Sequence, residues 1–299
     1  MTVTVGIAGI TGKFGRLLAS HLLKNPSVEL RGYCRNAANV PAFITGANVK
    51  IFEGGAFDSQ AVRPFVEGCD VVACAYLGDD KLMVDGQKVL IDSCEENKVP
   101  RYIASDYSVD FTKLELGQLF PKDPMKHVKA YLDTKQNVKG VHVLIGGFME
   151  TLTSPFFGLY DARGPTFRYW GDGTEVFEAS TYENAAEYTA AVAADTSAVG
   201  KQHFLGGAAS AKDLAKIFEE VHGIKPKLES LGTQEELYTK MTALRAQYPN
   251  DIFKYMALYY TYYMISGKSL VGPRLDNDKY PNVKPFTWTD FIKQLPVSK

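Results

Sequence analysis

The 299-residue chain has little of what marks several protein classes. Its four cysteines, Cys34, Cys69, Cys74 and Cys94, stand in or beside apolar patterns without metal-ligand spacing. Neither a disulfide framework nor a structural zinc site is therefore expected, and reduced thiols suit a cytoplasmic protein. Basic charge is not in excess: 33 Lys and Arg against 34 Asp and Glu leave a formal net charge of −1. That excludes the basic footprint of a nucleic-acid binder. The longest apolar candidate, 252–265, is too short for a membrane span and contains Lys254. No basic and apolar leader precedes the first strand, so no secretory signal is expected. Internal repeats and low-complexity segments are also missing. What remains, with 45% hydrophobic residues, is material for one large α/β unit or two lobes around a sizeable core.

The most informative stretch opens the chain. Val3, Val5, Ile7 and Ala8 read as a short buried strand. Gly9, Gly12 and Gly15 follow at three-residue spacing, around Thr11, Lys13 and Phe14, and the sequence to Leu23 continues with helical periodicity. Strand, glycine turn and helix together form the context of a dinucleotide-binding loop. Gly9 suits the positive φ of a tight turn. Gly12 leaves room for a pyrophosphate to approach the amides at the helix start, and Gly15 lets the helix pack on the strand.

The rest of the first half alternates strand and helix patterns. Strands are predicted at 28–33, 49–52, 71–75, 101–104 and 141–145, with helices between them. Ser59 is the expected cap of one helix and Gly68 its stop, and Gly140 is expected to end the helix that begins near Met125. This alternation predicts a Rossmann-type, doubly wound parallel sheet of the α/β class, with ligands at the carboxyl ends of its strands. At the end of the second strand, where an acidic residue would suit NAD, Arg35 stands instead. A guanidinium fits the 2′-phosphate of NADP, and Lys13 offers a second positive charge. Beyond residue 150 the pattern loosens. A capping box is read at Ser180–Glu183, further helices start at Ser210 and Thr233, and a tyrosine-rich helix covers 252–265. The expected organisation is a dinucleotide-binding unit at 1–150 and a smaller, mostly helical substrate lobe at 151–299, with the segment around 180–206 returning to the first unit.

Hydride transfer needs a side chain that handles a proton. Tyr131 and Lys135 have the four-residue spacing of a short-chain dehydrogenase dyad, but the short helix puts Lys135 in its last turn, away from the strand ends. Lys129, nearer the helix start, is the better candidate for a general acid or base, and Tyr107 is the remaining hydroxyl. His127 and His142 have no partner at diagnostic spacing and are read as structural.

These residues carry a resemblance. The glycine loop, Arg35, Gly55–Asp58, Asp70-Val71-Val72, Arg101–Tyr107, Val128-Lys129-Ala130, Thr181–Ala186 and Tyr280–Pro285 resemble the isoflavone-reductase-like group of atypical short-chain dehydrogenase/reductases, which overlaps the NmrA-like (nitrogen-metabolite-repressor) group. The resemblance implies NADPH as cofactor and matches Lys129 to the lysine considered catalytic in the plant reductases, which act on phenylpropanoids, isoflavonoids and lignans. Around Asp106-Tyr107 the chain departs from the acidic-Phe-Gly pattern of those enzymes. The expected cofactor residues are Gly9, Thr11, Gly12, Lys13, Phe14, Gly15, Arg35, Asp58, Ser105 and Lys129. Tyr107, Phe148, Met149 and Phe156 are expected to meet an aromatic substrate, with no metal, and a homodimer is admitted. The alternative is an NmrA-like redox sensor that binds NADP(H) and acts through a protein partner.

Overall fold

The computed structural model describes residues 2–46 and 48–297. Its first half runs β1 (Val3–Ala8), α1 (Lys13–Leu22), β2 (Val28–Cys34), β3 (Val49–Glu53), α2 (Ser59–Val66) and β4 (Val71–Cys74). A π-helical turn, Leu82–Gly86, leads into α3 (Gln87–Glu96), followed by β5 (Arg101–Ile103), α4 (Asp123–Leu132) and β6 (Lys139–Leu144). The second half contains β7 (Gly147–Phe148), α5 (Met149–Leu152), β8 (Tyr160–Asp161), β9 (Thr166–Tyr169), β10 (Val176–Ser180) and α6 (Tyr182–Ala194). Then come β11 (Gly200–His203), β12 (Gly207–Ser210), α7 (Ala211–His222), β13 (Lys227–Ser230), α8 (Gln234–Gln247), α9 (Met256–Ile265) and α10 (Trp288–Ile292).

Seven strands form one parallel sheet in the order β11-β6-β5-β4-β1-β2-β3, the doubly wound α/β arrangement expected from the alternation. Every residue of β4 is buried, as a central strand covered on both faces requires. On one face, Leu18 and Leu22 of α1 join Tyr188 and Val192 of α6 in a core under β1 and β6. On the other, Phe65, Leu90, Ile91, Val128 and Leu132 bring in α2, α3 and α4. The chain order reverses beside β1, so a crevice opens above the ends of β1 and β4.

Several boundaries differ from the sequence reading, each for a local reason. Asp58, not Ser59, caps α2: its Oδ1 accepts from the Gln60 and Ala61 amides at 3.1 and 3.0 Å. Thr181, not Ser180, caps α6 through its hydroxyl to the Asn184 amide, leaving Ser180 Oγ to accept from Gly206. Helix α4 stops at Leu132, and Gly140 lies inside β6. The intervening turn is held instead by Glu95, whose carboxylate accepts from the Gln136, Asn137 and Val138 amides. Gly68 and Gly223 do take positive φ behind α2 and α7. The second lobe also contains two three-stranded sheets, β12-β10-β7 and β13-β9-β8, whose strands are too short to show an alternation.

The sheet is tied to the returning segment by Arg101 on β5. This guanidinium is 2% exposed and donates to the Val192, Ala193 and Asp195 carbonyls at the end of α6, at 3.1, 2.9 and 2.6 Å. A cation there satisfies carbonyls that the helix itself leaves unpaired. Replacing Arg101 with Met removes these donors and leaves the carbonyls buried. The expected loss is about 3 kcal/mol of unfolding free energy, read from urea denaturation.

Candidate functional site

Above the ends of β1, β2 and β4 lies a cleft of about 780 Å³. Its floor is the glycine loop. Gly9 has φ +85°, a conformation that an L side chain rarely adopts, and turns the chain from β1 into α1. A Cβ on Gly15 would collide with the Gly9 carbonyl oxygen and stand 2.9 Å from Ile10 Cα, so only glycine lets α1 begin this close to the strand. Gly12 is the N-cap of α1, with no side-chain cap and no acidic residue in the first turn. Unpaired first-turn amides and the positive helix end thus face the cleft, which is the donor set for a pyrophosphate.

The walls place the expected residues in two groups. Gly9, Thr11, Gly12, Lys13, Phe14 and Arg35 all line the cleft. Arg35 is solvent-exposed one residue beyond β2, and Gly54–Phe57, Leu77 and Lys81 line the same cleft. Tyr33 donates to the Gly55 carbonyl at 2.8 Å, and burial pushes its phenol up to about 12. The second group has other employment. Asp58 caps α2, and Ser105 is buried with Oγ donating to the Tyr76 carbonyl at 2.7 Å. Gly15 is buried beneath the loop, and Met149 is fully buried in the second-lobe core. Phe156 is 42% exposed.

The proton candidates are also engaged. Tyr107 is buried, donates to the Cys74 carbonyl at 3.0 Å and lies against Phe14 with ring centroids 4.0 Å apart. Burial raises its pKa well above the usual phenol value. Lys129 points its ammonium at Asp133, 2.6 Å away at the C-cap of its helix, and does not line the cleft. Lys126, one turn earlier, donates to the Leu114 carbonyl, and burial lowers its pKa. Tyr131 and Lys135 both reach Asp92 of α3, at 2.6 and 2.5 Å, which turns that pair away from the strand ends.

Two arrangements had no spacing signal. His142 Nδ1 lies 2.6 Å from Asp106 Oδ2, both buried and brought together by adjacent strands. The other is Tyr182, which enters the cleft from the start of α6. Its ring stacks on Phe148 at 3.7 Å and 9°, its amide donates to Glu150 at 3.0 Å, and its hydroxyl lies 3.2 Å from Thr151 Oγ1. The capping pattern around Ser180 placed the helix, but gave no sign that Tyr182 would face a ligand cleft.

A Rossmann-type sheet with a glycine loop of this geometry is a dinucleotide-binding fold. Comparison with known proteins agrees: residues 9–141 match the family model described as NAD(P)H-binding. The curated oxidoreductase dmxR7 of Cryptosporiopsis sp. (strain 8999) is 30% identical over 83 residues, which are 26% of this chain and 35% of the relative. The matched stretch therefore spans about a third of the curated relative's length. Among solved structures, isoflavone reductase superposes with a TM-score of 0.77 at 16% identity, covering 98% of this chain and 99% of that one. AtPrR2 with NADP+ and (+)pinoresinol gives 0.78 at 17% identity, covering 98% of both chains. The likeness in fold to these two structures spans nearly the whole chain. Among the described residues, no helix is long and apolar enough to cross a membrane.

Burial raises the pKa of Glu150 above the ordinary carboxylate value, while the Tyr182 amide and Lys13 oppose the shift. The folded protein thus binds this proton more tightly than the unfolded chain. Its contribution to stability falls as pH rises from the unfolded value through the raised folded one. Glu150→Gln should remove that fall, so the wild-type-minus-variant difference in urea midpoints should decrease from about pH 4 to about pH 7. A flat difference would contradict the assignment.

Proposed function

We propose that the protein is an NADPH-dependent reductase of an aromatic or phenolic small molecule, such as a ketone, quinone, enone or benzylic ether. The observation that carries this reading is the cleft itself. It combines the unpaired amides of α1, the exposed Arg35 at the end of β2 and the aromatic rings of Phe14 and Tyr182. Arg35 suits the 2′-phosphate, because its planar fork matches phosphate and no acidic residue occupies that position. When bound, NADPH supplies a hydride. The half-buried rings of Phe14 and Phe148, with the buried Tyr107 ring packed against Phe14, offer an apolar surface against which a flat substrate can lie. AtPrR2 was solved with NADP+ and (+)pinoresinol, which supports both halves of the proposal. The oxidoreductase name of the curated relative supports the reaction class.

The general acid or base we assign is Lys129, on the family resemblance. To act, its ammonium must exchange Asp133 for the substrate side of α4. That engagement, with the Tyr107 hydroxyl committed to the Cys74 carbonyl, is also the observation that favours a second reading. In it the protein binds NADP(H) as a redox sensor and works through a protein partner.

Two measurements separate these readings. Arg35→Ala should weaken NADPH by about 10- to 100-fold and NADH by about twofold or less, since only NADPH carries the phosphate that the guanidinium binds. Equal weakening would refute the 2′-phosphate contact. Consumption of NADPH with quinones, aryl ketones and flavonoids should be seen with the wild type and lost in Lys129→Ala, whose NADPH affinity stays intact. Unchanged turnover removes the lysine's role, and tight NADPH binding without consumption by any acceptor supports the sensor.

A further inference from the structure

Tyr182 and Lys13 meet across the cleft in a way that the dinucleotide reading does not require. The Lys13 ammonium sits 3.5 Å from the centroid of the Tyr182 ring, while Phe148 covers the opposite face of that ring at 3.7 Å. Both Lys13 and Tyr182 line the cleft beside Thr11 and Gly12. Lys13 is the first residue of α1, so its stem starts where the unpaired amides are.

We propose that Tyr182 is a positioning residue for the cofactor: its ring fixes the Lys13 ammonium beside the glycine loop, where it binds the dinucleotide pyrophosphate. This rests on the dinucleotide reading above and adds to it a residue from the second half of the chain. A lysine has much side-chain entropy to lose when it engages a ligand, and a free lysine on this loop would lose it on binding. A ring face attracts the ammonium electrostatically without accepting all three N–H donors, so donors turned from the ring remain available to phosphate. Such an arrangement works only if the ring itself is fixed. Here it is held at three points from one short segment, by Phe148 on its face, Glu150 on its amide and Thr151 at its hydroxyl. The Glu150 carboxylate, whose charge also acts on Lys13, accepts from the Tyr182 amide and so anchors the ring's own backbone beside the ammonium.

The test is a double-mutant cycle on the full chain, with NADP+ affinity measured by calorimetry. Tyr182→Leu should weaken NADP+ about three- to tenfold, the range of a partly exposed cation–π contact, and Tyr182→Phe should stay within about twofold of wild type. In a Lys13→Met background, Tyr182→Leu should add nothing. Adenosine 2′-monophosphate, which has the Arg35-side phosphate but no pyrophosphate, should bind Tyr182→Leu as it binds the wild type. If Tyr182→Leu does not fold, Tyr182→Gln, which keeps a polar end toward Thr151, takes its place. Equal losses in both backgrounds, parallel weakening of the monophosphate, unchanged NADP+ affinity or tighter NADP+ binding would each overturn the proposal. The last would mean that the ring withholds Lys13 from the ligand. A wild-type protein that binds no NADP+ would defeat the dinucleotide reading itself, a result distinct from all of these.

Discussion

The Gly9 carbonyl oxygen lies within collision distance of where a β-carbon on Gly15 would stand. Much of the site depends on that approach. It lets α1 start directly off the end of β1, so the helix axis, its unpaired amides and its positive end are aimed at one point above the sheet. With that point set, sheet order does the rest. Strand β2 lies next to β1 and delivers Arg35 to one end of the cleft, while β4 on the other side delivers Ala75 to Gly78 as the facing wall. A side chain at position 15 would push the helix outward and separate these donors from one another.

The second half of the chain completes the cleft rather than standing apart from it. Helix α6 packs on α1, and β11 extends the parallel sheet beyond β6. The C-terminal segment then straps this returning helix in place: Asn184 bonds the Lys284 carbonyl and the Phe286 amide, and Tyr188 reaches the Val283 carbonyl. These bonds orient the start of α6, which is where Tyr182 projects. An aromatic file from Tyr107 through Phe14 and Phe148 to Tyr182 connects the two halves at the mouth of the site.

The candidate proton-handling and polar groups are already partnered. Tyr107, Ser105, Lys126 and Lys129 each hold a bond to another group of the protein. For Tyr107 the partner is a buried backbone carbonyl and for Ser105 a half-buried one, and releasing the first would leave an unpaired acceptor in the core. Lys129 differs because its partner Asp133 is well exposed, and an exposed ion pair of this kind is weak enough to exchange. Of the four, Lys129 thus gives up its present contact at the lowest cost, and this is the physical support for proposing it as the proton-handling residue.

The parts of this protein legible in its sequence are those set within a few residues. Strand–turn–helix context, glycine spacing and the arginine after the second strand are local patterns, and they foretold the parallel sheet, the loop and the side chains from Gly9 to Phe14 that line the cleft. Local spacing put Lys135 in the last turn of the helix that carries Tyr131, whereas the helix stops at Leu132 and Lys135 lies beyond it, bonded to Asp92. What the sequence could not determine is where each polar group spends its hydrogen bonds. Asp58 and Ser59 are adjacent and both are good helix caps, and only the backbone path decides that Asp58 takes the role. His142 finds Asp106 across 36 positions because two parallel strands lie side by side. Tyr182 faces the cleft because Phe148, Glu150 and Thr151, more than thirty residues earlier, fix its ring, amide and hydroxyl. Glycine geometry acts between near neighbours and leaves a mark in the sequence. Side-chain partnership acts across the fold, and it was settled only when the second half of the chain closed over the first.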